Sequence, residues 1–187
     1  MSRLAKFSRS VVVATIMASV AAGAAYAADP MVGGAPMMAN KTIVENASKA
    51  SNLTTLVAAV KEAGLVDTLS GPGPFTVFAP TNTAFDKVPK ATLDTLMQPD
   101  MKKDLTKILT YHVVAGKIDA AEIEKGIKDG GGSYNMKTVE GGTLTAKMDG
   151  TKVALIDEKG AGALVEIADV FQSNGVVHVI DSVLMPK

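Results

Sequence analysis

Two apolar segments decide the fold of this chain: Phe75-Thr-Val-Phe-Ala-Pro-Thr-Asn-Thr-Ala-Phe-Asp-Lys-Val88 and Asn174-Gly-Val-Val-His-Val-Ile-Asp-Ser-Val-Leu-Met-Pro186. Each segment is rich in β-branched and aromatic residues and is bounded by turn-forming residues, a composition typical of buried strands. We therefore expect both segments to supply core strands. The core positions predicted in them are Phe75, Val77, Phe78, Val177, Val179 and Ile180.

Before and between these segments the apolar residues recur at helical spacing. Leu53, Leu56 and Val60 lie three and four residues apart, which is the spacing of a buried helical stripe, and Gly64 is a typical C-terminal stop for it. Further helices are predicted around Ile43, around Leu93, around Leu105 and from Asp119 to Ile127.

After Gly130-Gly-Gly132 the apolar period changes to two, the period of a strand. Asp149-Gly150 between two alternating runs predicts a hairpin. Because helices occupy the first two-thirds of the chain and strands the last third, the predicted class is α+β. The predicted strands are Tyr134–Val139, Thr143–Met148, Thr151–Ile156, Ala163–Phe171 and Val176–Leu184.

A third segment, Tyr111-His-Val-Val114, stands between the two apolar segments and is interpreted as part of a strand. Together, and in this order, the three segments resemble the fasciclin-type (FAS1) domain, an extracellular adhesion and binding module. The resemblance extends from Thr42 to Met185. It implies one domain over residues 41–187, built as a β-sandwich wedge with helices packed on one side and along an edge.

The start of the chain has the layout of a secretory signal peptide. Arg3, Lys6 and Arg9 precede an apolar run, and the run ends in the small-residue pattern Ala25-Tyr-Ala27. The run of about fifteen residues is short for a membrane-spanning helix, which is the alternative. We expect a signal peptide over residues 1–27, a flexible segment over residues 28–40, and a secreted, periplasmic or cell-surface mature chain without a membrane span.

Charge and composition exclude several classes of partner. The chain has 19 basic and 19 acidic residues; without residues 1–27 it keeps 16 basic residues, all lysine, and all 19 acids. A mildly acidic chain without arginine is a poor binder of nucleic acid. The absence of cysteine rules out disulfides and a Cys/His metal cage. We therefore expect no nucleic-acid partner and, with no coiled-coil heptads, a monomer.

The search for catalytic chemistry is largely negative. A hydrolase would pair His112 or His178 with Asp181 and with Ser173 or Ser182, but the chain has no Gly-x-Ser-x-Gly elbow. We expect both histidines to be hydrogen-bonded structural residues, and we expect no catalytic residue, no cofactor and no metal site. Thioethers for Cu(I) are the remaining metal alternative: Met31, Met37 and Met38.

The resemblance marks four residues as a partner-binding or structural motif. In animal members the Tyr-His segment and an Asp-Ile-containing stretch before the second apolar segment are linked to integrin binding. Tyr111 and His112 match the first by identity; in the second, Asp169 is identical and Val170 is similar. Where those members have Glu-Pro-Asp-Ile-Met, this chain has Ile167-Ala-Asp-Val-Phe171, so integrin binding does not carry across.

The resemblance favours binding over catalysis. The predicted function is that of a secreted single-domain adhesion or interaction module for an extracellular protein or glycan. The alternative is a periplasmic carrier of a small apolar ligand, held in a cleft between the helices and the sheet. An enzyme or a metal-handling protein is the third hypothesis.

Overall fold

The computed structural model describes residues 29–187, so the signal peptide predicted over residues 1–27 lies outside the described residues. The described helices are α1 (Ile43–Ala47), α2 (Thr54–Ala63), α3 (Val66–Ser70), α4 (Asn82–Asp86), α5 (Lys90–Leu96), α6 (Lys102–Tyr111) and α7 (Ala120–Asp129). The described strands are β1 (Met31–Val32), β2 (Ala35–Pro36), β3 (Phe75–Pro80), β4 (Val113–Ala115), β5 (Tyr134–Lys137), β6 (Thr143–Asp149), β7 (Lys152–Ile156), β8 (Gly162–Gln172) and β9 (Gly175–Ile180).

Seven strands form one mixed sheet in the order β4-β3-β9-β8-β7-β6-β5. All pairs are antiparallel except β3 with β9, the strands of the two apolar segments, which run parallel side by side. The sheet curls until its two end strands meet at a bridge between Val114 and Thr138. This architecture confirms the α+β class: helices α1–α6 pack on one side of the sheet, and α7 contacts β5 and β6 along its edge.

The curled sheet separates two apolar cores. We call the buried cluster inside the curl the inner core and the buried cluster between the sheet and helices α1–α6 the outer core. Because successive side chains of a strand point to opposite faces, β3 sends Phe78 into the inner core and Val77 into the outer core. In β9, Ile180 faces the inner core and Val179 the outer core. Their continuous apolar runs reflect strands that are covered on both faces.

Some helix ends carry residues that are typical of caps. Thr81 caps α4, since its hydroxyl accepts a hydrogen bond from the Ala84 N–H, and Asp119 caps α7 in the same way through the Glu122 N–H. Gly64 ends α2 in the left-handed conformation, at φ 72°, which a residue without a Cβ adopts at no steric cost.

The Tyr-His segment is a correction, because the strand predicted there begins only at Val113. Tyr111 is the last residue of α6, and His112 is the residue that caps its C-terminus. Leu105, Leu109 and His112 are all buried and lie four and three residues apart, so the segment continues a helical face. An apolar run this short fits a strand and a helix end equally well.

The last predicted strand is also shorter than expected, because β9 ends at Ile180 and not at Leu184. Its parallel partner β3 ends at Pro80; the Thr81 N–H still donates to the Ile180 carbonyl, and Thr81 then caps α4, so β3 offers no further residue for pairing. Beyond Ile180 the chain leaves the sheet.

Residues 29–40 differ from the flexible segment that their composition predicts. They form a hairpin of β1 and β2, and Val32 and Met37 are buried in the outer core. The Gly33 carbonyl accepts hydrogen bonds from the Ser51 N–H at 3.2 Å and from the Ser51 hydroxyl at 2.7 Å. Two buried apolar side chains and the hydrogen bonds from Ser51 therefore fix this segment by tertiary contact.

Two neighbouring methionines test whether this hairpin contributes to stability. Met37 is 2% exposed and Met38 is 38% exposed. We expect Met37→Ala to lower the free energy of unfolding by about 2 kcal/mol or more, because it leaves a cavity in the outer core. Met38→Ala, the matched control, is expected to change it by less than about 0.5 kcal/mol. Equal effects of both substitutions in urea unfolding would contradict the packing of the hairpin.

Candidate functional site

Tyr111 lies in the inner core and ties three elements together. Its side chain is fully buried, and its hydroxyl donates to the Thr143 carbonyl at 2.7 Å and accepts from the Glu158 N–H at 3.2 Å. These bonds join the end of α6 to the start of β6 and to the turn between β7 and β8. Burial raises the pKa of Tyr111 to about 12, so the phenol stays neutral and keeps its donor hydrogen.

His112 is buried beside Tyr111 but is bonded to different elements. Its Nδ1 lies 2.8 Å from the Ile108 carbonyl oxygen, and its Nε2 lies 3.0 Å from the Leu184 N–H. Because a carbonyl only accepts and an N–H only donates, Nδ1 carries the proton and Nε2 is the acceptor. Burial lowers the pKa of His112 to about 4 and thereby maintains this neutral form.

His178, on β9, is held in the opposite tautomer. Its Nε2 donates to the Ile118 carbonyl at 2.9 Å, and its Nδ1 faces the Asp169 N–H at 3.4 Å. The imidazole stacks on the Phe78 ring with 5.5 Å between centroids, and burial lowers its pKa. Both histidines of the chain thus use both ring nitrogens on backbone groups.

Asp169 lies at an irregularity of β8, where the register against β9 shifts between Ile167 and Val170. Its backbone adopts φ 57°, a left-handed conformation that is uncommon outside glycine and that aspartate tolerates better than most residues. In this conformation its Oδ1 accepts the N–H of Ala120, the first residue of α7, at 2.7 Å. Asp169 therefore caps α7 together with the neighbouring Asp119.

The four residues of the proposed motif do not form one site. Val170 is buried in the outer core, whereas Tyr111 belongs to the inner core. Asp169 is bonded to α7, and His112 to the C-terminal segment at Leu184. The structure brings Asp169 near His178 instead, a contact that no pattern in the sequence indicates.

Two buried polar residues escaped the sequence analysis. Asp157 accepts the N–H groups of Lys159 and Ala161 through Oδ1 and that of Met185 through Oδ2 at 2.9 Å, so it fixes both a turn and the C-terminal segment. Asn174 accepts the Ile43 N–H and donates to the Leu69 carbonyl, which links the β8–β9 turn to α1 and α3. Asn174-Gly175 indicates a turn, and nothing in that signal reveals long-range hydrogen bonds.

The serine groups considered for hydrolysis are not aligned with a histidine. The Ser182 hydroxyl donates to Asp181 Oδ1 at 3.0 Å, and Asp181 Oδ2 accepts from the Lys87 ammonium at 3.1 Å. The ring nitrogens of His112 and His178 are bonded to backbone groups elsewhere. Within residues 29–187, no group of three or more histidine, aspartate or glutamate side chains has an arrangement suited to a metal ion.

A small apolar cavity lies between the helices and the sheet. It offers about 30 Å³ to a water-sized sphere, which is far below the 300–1,000 Å³ of pockets that hold drug-sized ligands. The side chains that line it come from α1, α2, α3, α6, β3 and β4, and include Val44, Leu56, Val57, Val60, Val77 and Leu109.

Comparison with known proteins identifies the class. A model of the Fasciclin domain matches residues 51–186, and the chain belongs to this family. The fold is similar to that of a FAS1 domain pair from the insect cell adhesion molecule fasciclin I, with a TM-score of 0.70 and 19% sequence identity over 78% of this chain and 51% of that one. The chain thus carries a fasciclin-type domain.

Relatives with higher identity are bacterial. The chain is 49% identical to the protein sll1483 of Synechocystis over 78% of its own length and 73% of that protein. It is 38% identical to the immunogenic protein MPB70 of Mycobacterium bovis, over 87% of this chain and 79% of that one. It is 40% identical to the cell surface glycolipoprotein MPB83 of the same species, over 80% and 62%. Within residues 29–187, no helix has the length and apolar character needed to cross a bilayer.

The neutral state of His112 predicts a loss of stability in acid. An unfolded histidine has a pKa of 6.5, and His112 in the fold has one of about 4. Between these pH values only the unfolded chain binds the proton. The stability that neutral His112 contributes is therefore complete above about pH 6.5 and is lost as the pH falls toward about 4. The difference between the two pKa values corresponds to about 3 kcal/mol in the free energy of unfolding.

Chemical unfolding across this pH range, with His112→Gln as control, measures that loss. Carboxylates titrate in both proteins, so the difference between the two stability curves isolates His112. We expect the original chain to be more stable near neutral pH and its advantage to shrink as the pH falls. Parallel curves would show that His112 does not change protonation on unfolding.

Three substitutions at Asp169 separate its carboxylate from its backbone conformation. Asp169→Asn keeps an acceptor and a side chain that tolerates φ 57°, so it is expected to cost less than about 0.5 kcal/mol. Asp169→Gly loses the cap but adopts φ 57° without strain, so it is expected to lower the free energy of unfolding by about 1 kcal/mol. Asp169→Ala loses the cap and also strains the left-handed backbone, so it is expected to lower the free energy of unfolding by about 2 kcal/mol or more. The rate of amide hydrogen exchange in the first turn of α7 should rise in the same order. Equal stabilities for the alanine and glycine variants would contradict backbone strain at position 169.

Proposed function

We propose that this chain is a secreted, non-catalytic, single-domain adhesion or interaction module that binds an extracellular protein or glycan through its surface. The observation that carries this proposal is that both imidazoles of a Fasciclin-family chain are buried and fully engaged by backbone groups. A buried, neutral histidine with no free ring nitrogen has no lone pair or proton to offer a substrate.

Two further observations support secretion of the chain. Residues 1–27 have the layout of a signal peptide, and one relative is named a cell surface glycolipoprotein. We propose that the mature domain begins after Ala27 and acts as a monomer in the periplasm, at the cell surface or in the medium.

We further propose that Tyr111, His112, Asp169 and Val170 stabilise the fold and do not contact the partner. Tyr111 and His112 anchor α6, and Asp169 anchors α7. Val170 fills the outer core. Partner contact then belongs to exposed residues that these anchors hold in place.

A surface-binding assay with one interior variant tests both parts of this proposal. The purified chain is titrated onto the surface fraction of its own organism and onto host extracellular matrix, with an unrelated secreted domain as control. We expect saturable binding, and we expect Tyr111→Phe to bind equally well while losing about 1–2 kcal/mol of stability, because it leaves the Thr143 carbonyl without its donor. Absence of binding to both surfaces would refute adhesion, and loss of binding by a folded Tyr111→Phe would refute the structural role.

One observation favours the carrier as a second candidate: the apolar cavity lies between the helices and the sheet, where a carrier would hold its ligand. At about 30 Å³ it has to widen before it admits more than a water-sized group. Native mass spectrometry of protein purified from its own host separates the two functions. A bound apolar molecule that is absent from the Val60→Phe variant would establish the carrier function. A mass without any ligand would leave adhesion as the proposed function.

A further inference from the structure

The turn between β8 and β9 contains Asn174-Gly175, the one Asn-Gly pair in the chain. In an unfolded polypeptide this pair is chemically labile. The backbone nitrogen of the glycine attacks the side-chain amide carbon of the asparagine, and the glycine has no Cβ that would hinder the approach. Every other asparagine of the chain precedes a residue with a Cβ. Asn174 is therefore the asparagine at which the unfolded chain deamidates most readily.

The fold requires an asparagine at position 174. Asn174 is only 9% exposed. Its Oδ1 accepts from the Ile43 N–H at 3.1 Å, and its Nδ2 donates to the carbonyls of Leu69 at 2.8 Å and Gly71 at 3.1 Å. A carboxylate accepts hydrogen bonds but donates none, so it could replace the first of these contacts and neither of the others.

The fold also requires a glycine at position 175. Gly175 is the first residue of β9, and it lies opposite Phe75 of β3 on one side and opposite Gln172 of β8 on the other. A Cβ at this position would overlap the Phe75 carbonyl oxygen. The close approach of the two backbones thus excludes any larger residue. Packing therefore fixes each member of the labile pair for a separate reason.

The same contacts oppose the reaction while the domain is folded. Ring closure requires the Asn174 side chain to turn back onto the Gly175 nitrogen. In the fold, the amide is held instead by the first residue of α1 and by the end of α3. The backbone of Gly175 is held between two neighbouring strands. The reacting atoms can therefore align only after these hydrogen bonds have broken.

We propose that Asn174-Gly175 is a deamidation site that opens only when the domain unfolds, and that reaction at this site makes the unfolding irreversible. The Gly175 nitrogen loses its proton and bonds to Cγ of Asn174. The bond between Cγ and Nδ2 breaks, and ammonia leaves with a proton in place of the lost bond. Water then opens the cyclic succinimide at either of its carbonyls and gives aspartate or isoaspartate. Water is consumed, ammonia is released, and no atom is oxidised or reduced.

The products cannot restore the native contacts. Aspartate at position 174 has no donor for the carbonyls of Leu69 and Gly71 and places a negative charge against both oxygens. Isoaspartate also lengthens the main chain by a methylene group directly before β9, which disturbs the pairing of β9 with β3. Each molecule that reacts is thus removed from the folding equilibrium, so the lifetime of the domain depends on how often it unfolds. The reaction requires no partner and is independent of adhesion.

The methionine pair of the N-terminal hairpin tests the coupling to unfolding. Deamidation is slow relative to refolding, so its rate follows the population of unfolded molecules. Met37→Ala, which opens a cavity in the outer core, should speed deamidation at Asn174 about thirtyfold or more. Met38→Ala, the matched control, should change the rate by no more than about twofold. Peptide mass spectrometry of the purified chain, incubated at neutral pH, measures the exchange of amide for carboxylate.

Graded urea provides the same test without a substitution. The rate of deamidation in the original chain should rise in parallel with the unfolded fraction, so the coupling can be measured even if Met37→Ala does not fold.

Refolding of the reacted chain tests irreversibility. The original chain is held in urea until part of it has deamidated and is then diluted into buffer. Folded and unfolded molecules are separated by size-exclusion chromatography, and the mass of the peptide that contains Asn174 is measured in each fraction. We expect intact amide in the folded fraction and the deamidated products in the unfolded one. The same incubation in mildly acidic urea, which suppresses loss of the Gly175 proton, should leave refolding intact.

Three results would overturn the inference. Deamidation of the folded chain as fast as in urea would show that the fold does not close the site. A rate that stays constant across graded urea, or that is equal in the original chain and in a destabilised Met37→Ala variant, would separate the reaction from unfolding. Equal proportions of deamidated chain in the folded and unfolded fractions would show that the products refold.

Discussion

The parallel pairing of β3 with β9 is the feature that organises the whole domain. These two strands are the second and third of the seven and are covered on both faces, so they form part of the wall of each core. A parallel pair needs a long connection, and the intervening chain supplies helices for the outer core and strands for the curl. The neighbouring strands β4 and β8 extend this shared wall, with Val113 and Val170 on the outer side and Val114 and Val165 on the inner side.

The buried polar groups hold the elements to this wall. Tyr111, His112, Asp157 and Asn174 each bond to backbone groups far away in the chain. A buried polar group costs free energy unless it is hydrogen-bonded, so each of these residues favours a single arrangement of the segments it joins. These four residues therefore hold segments together from the interior of the domain.

The same geometry brings the two ends of the sheet together. The seven strands curl around the inner core, and the end strands meet at the bridge between Val114 and Thr138. The irregularity in β8 serves the outer core, because the shift of register at Asp169 lets Ile167 and Val170 both face it.

Local composition and apolar period were enough to establish the class of fold, the presence of strands β3 and β9, the end of α2 at Gly64, the start of α7 at Asp119, and the family membership that three short segments indicated. A sequence displays these signals directly, because each is contained in a few neighbouring residues. Three other features became visible only in three dimensions: Tyr111 ends a helix, Met37 is buried in the outer core, and Asp169 caps α7. Each of these depends on contacts between residues distant in the chain, and such contacts form only when the sheet has curled and its two cores have closed.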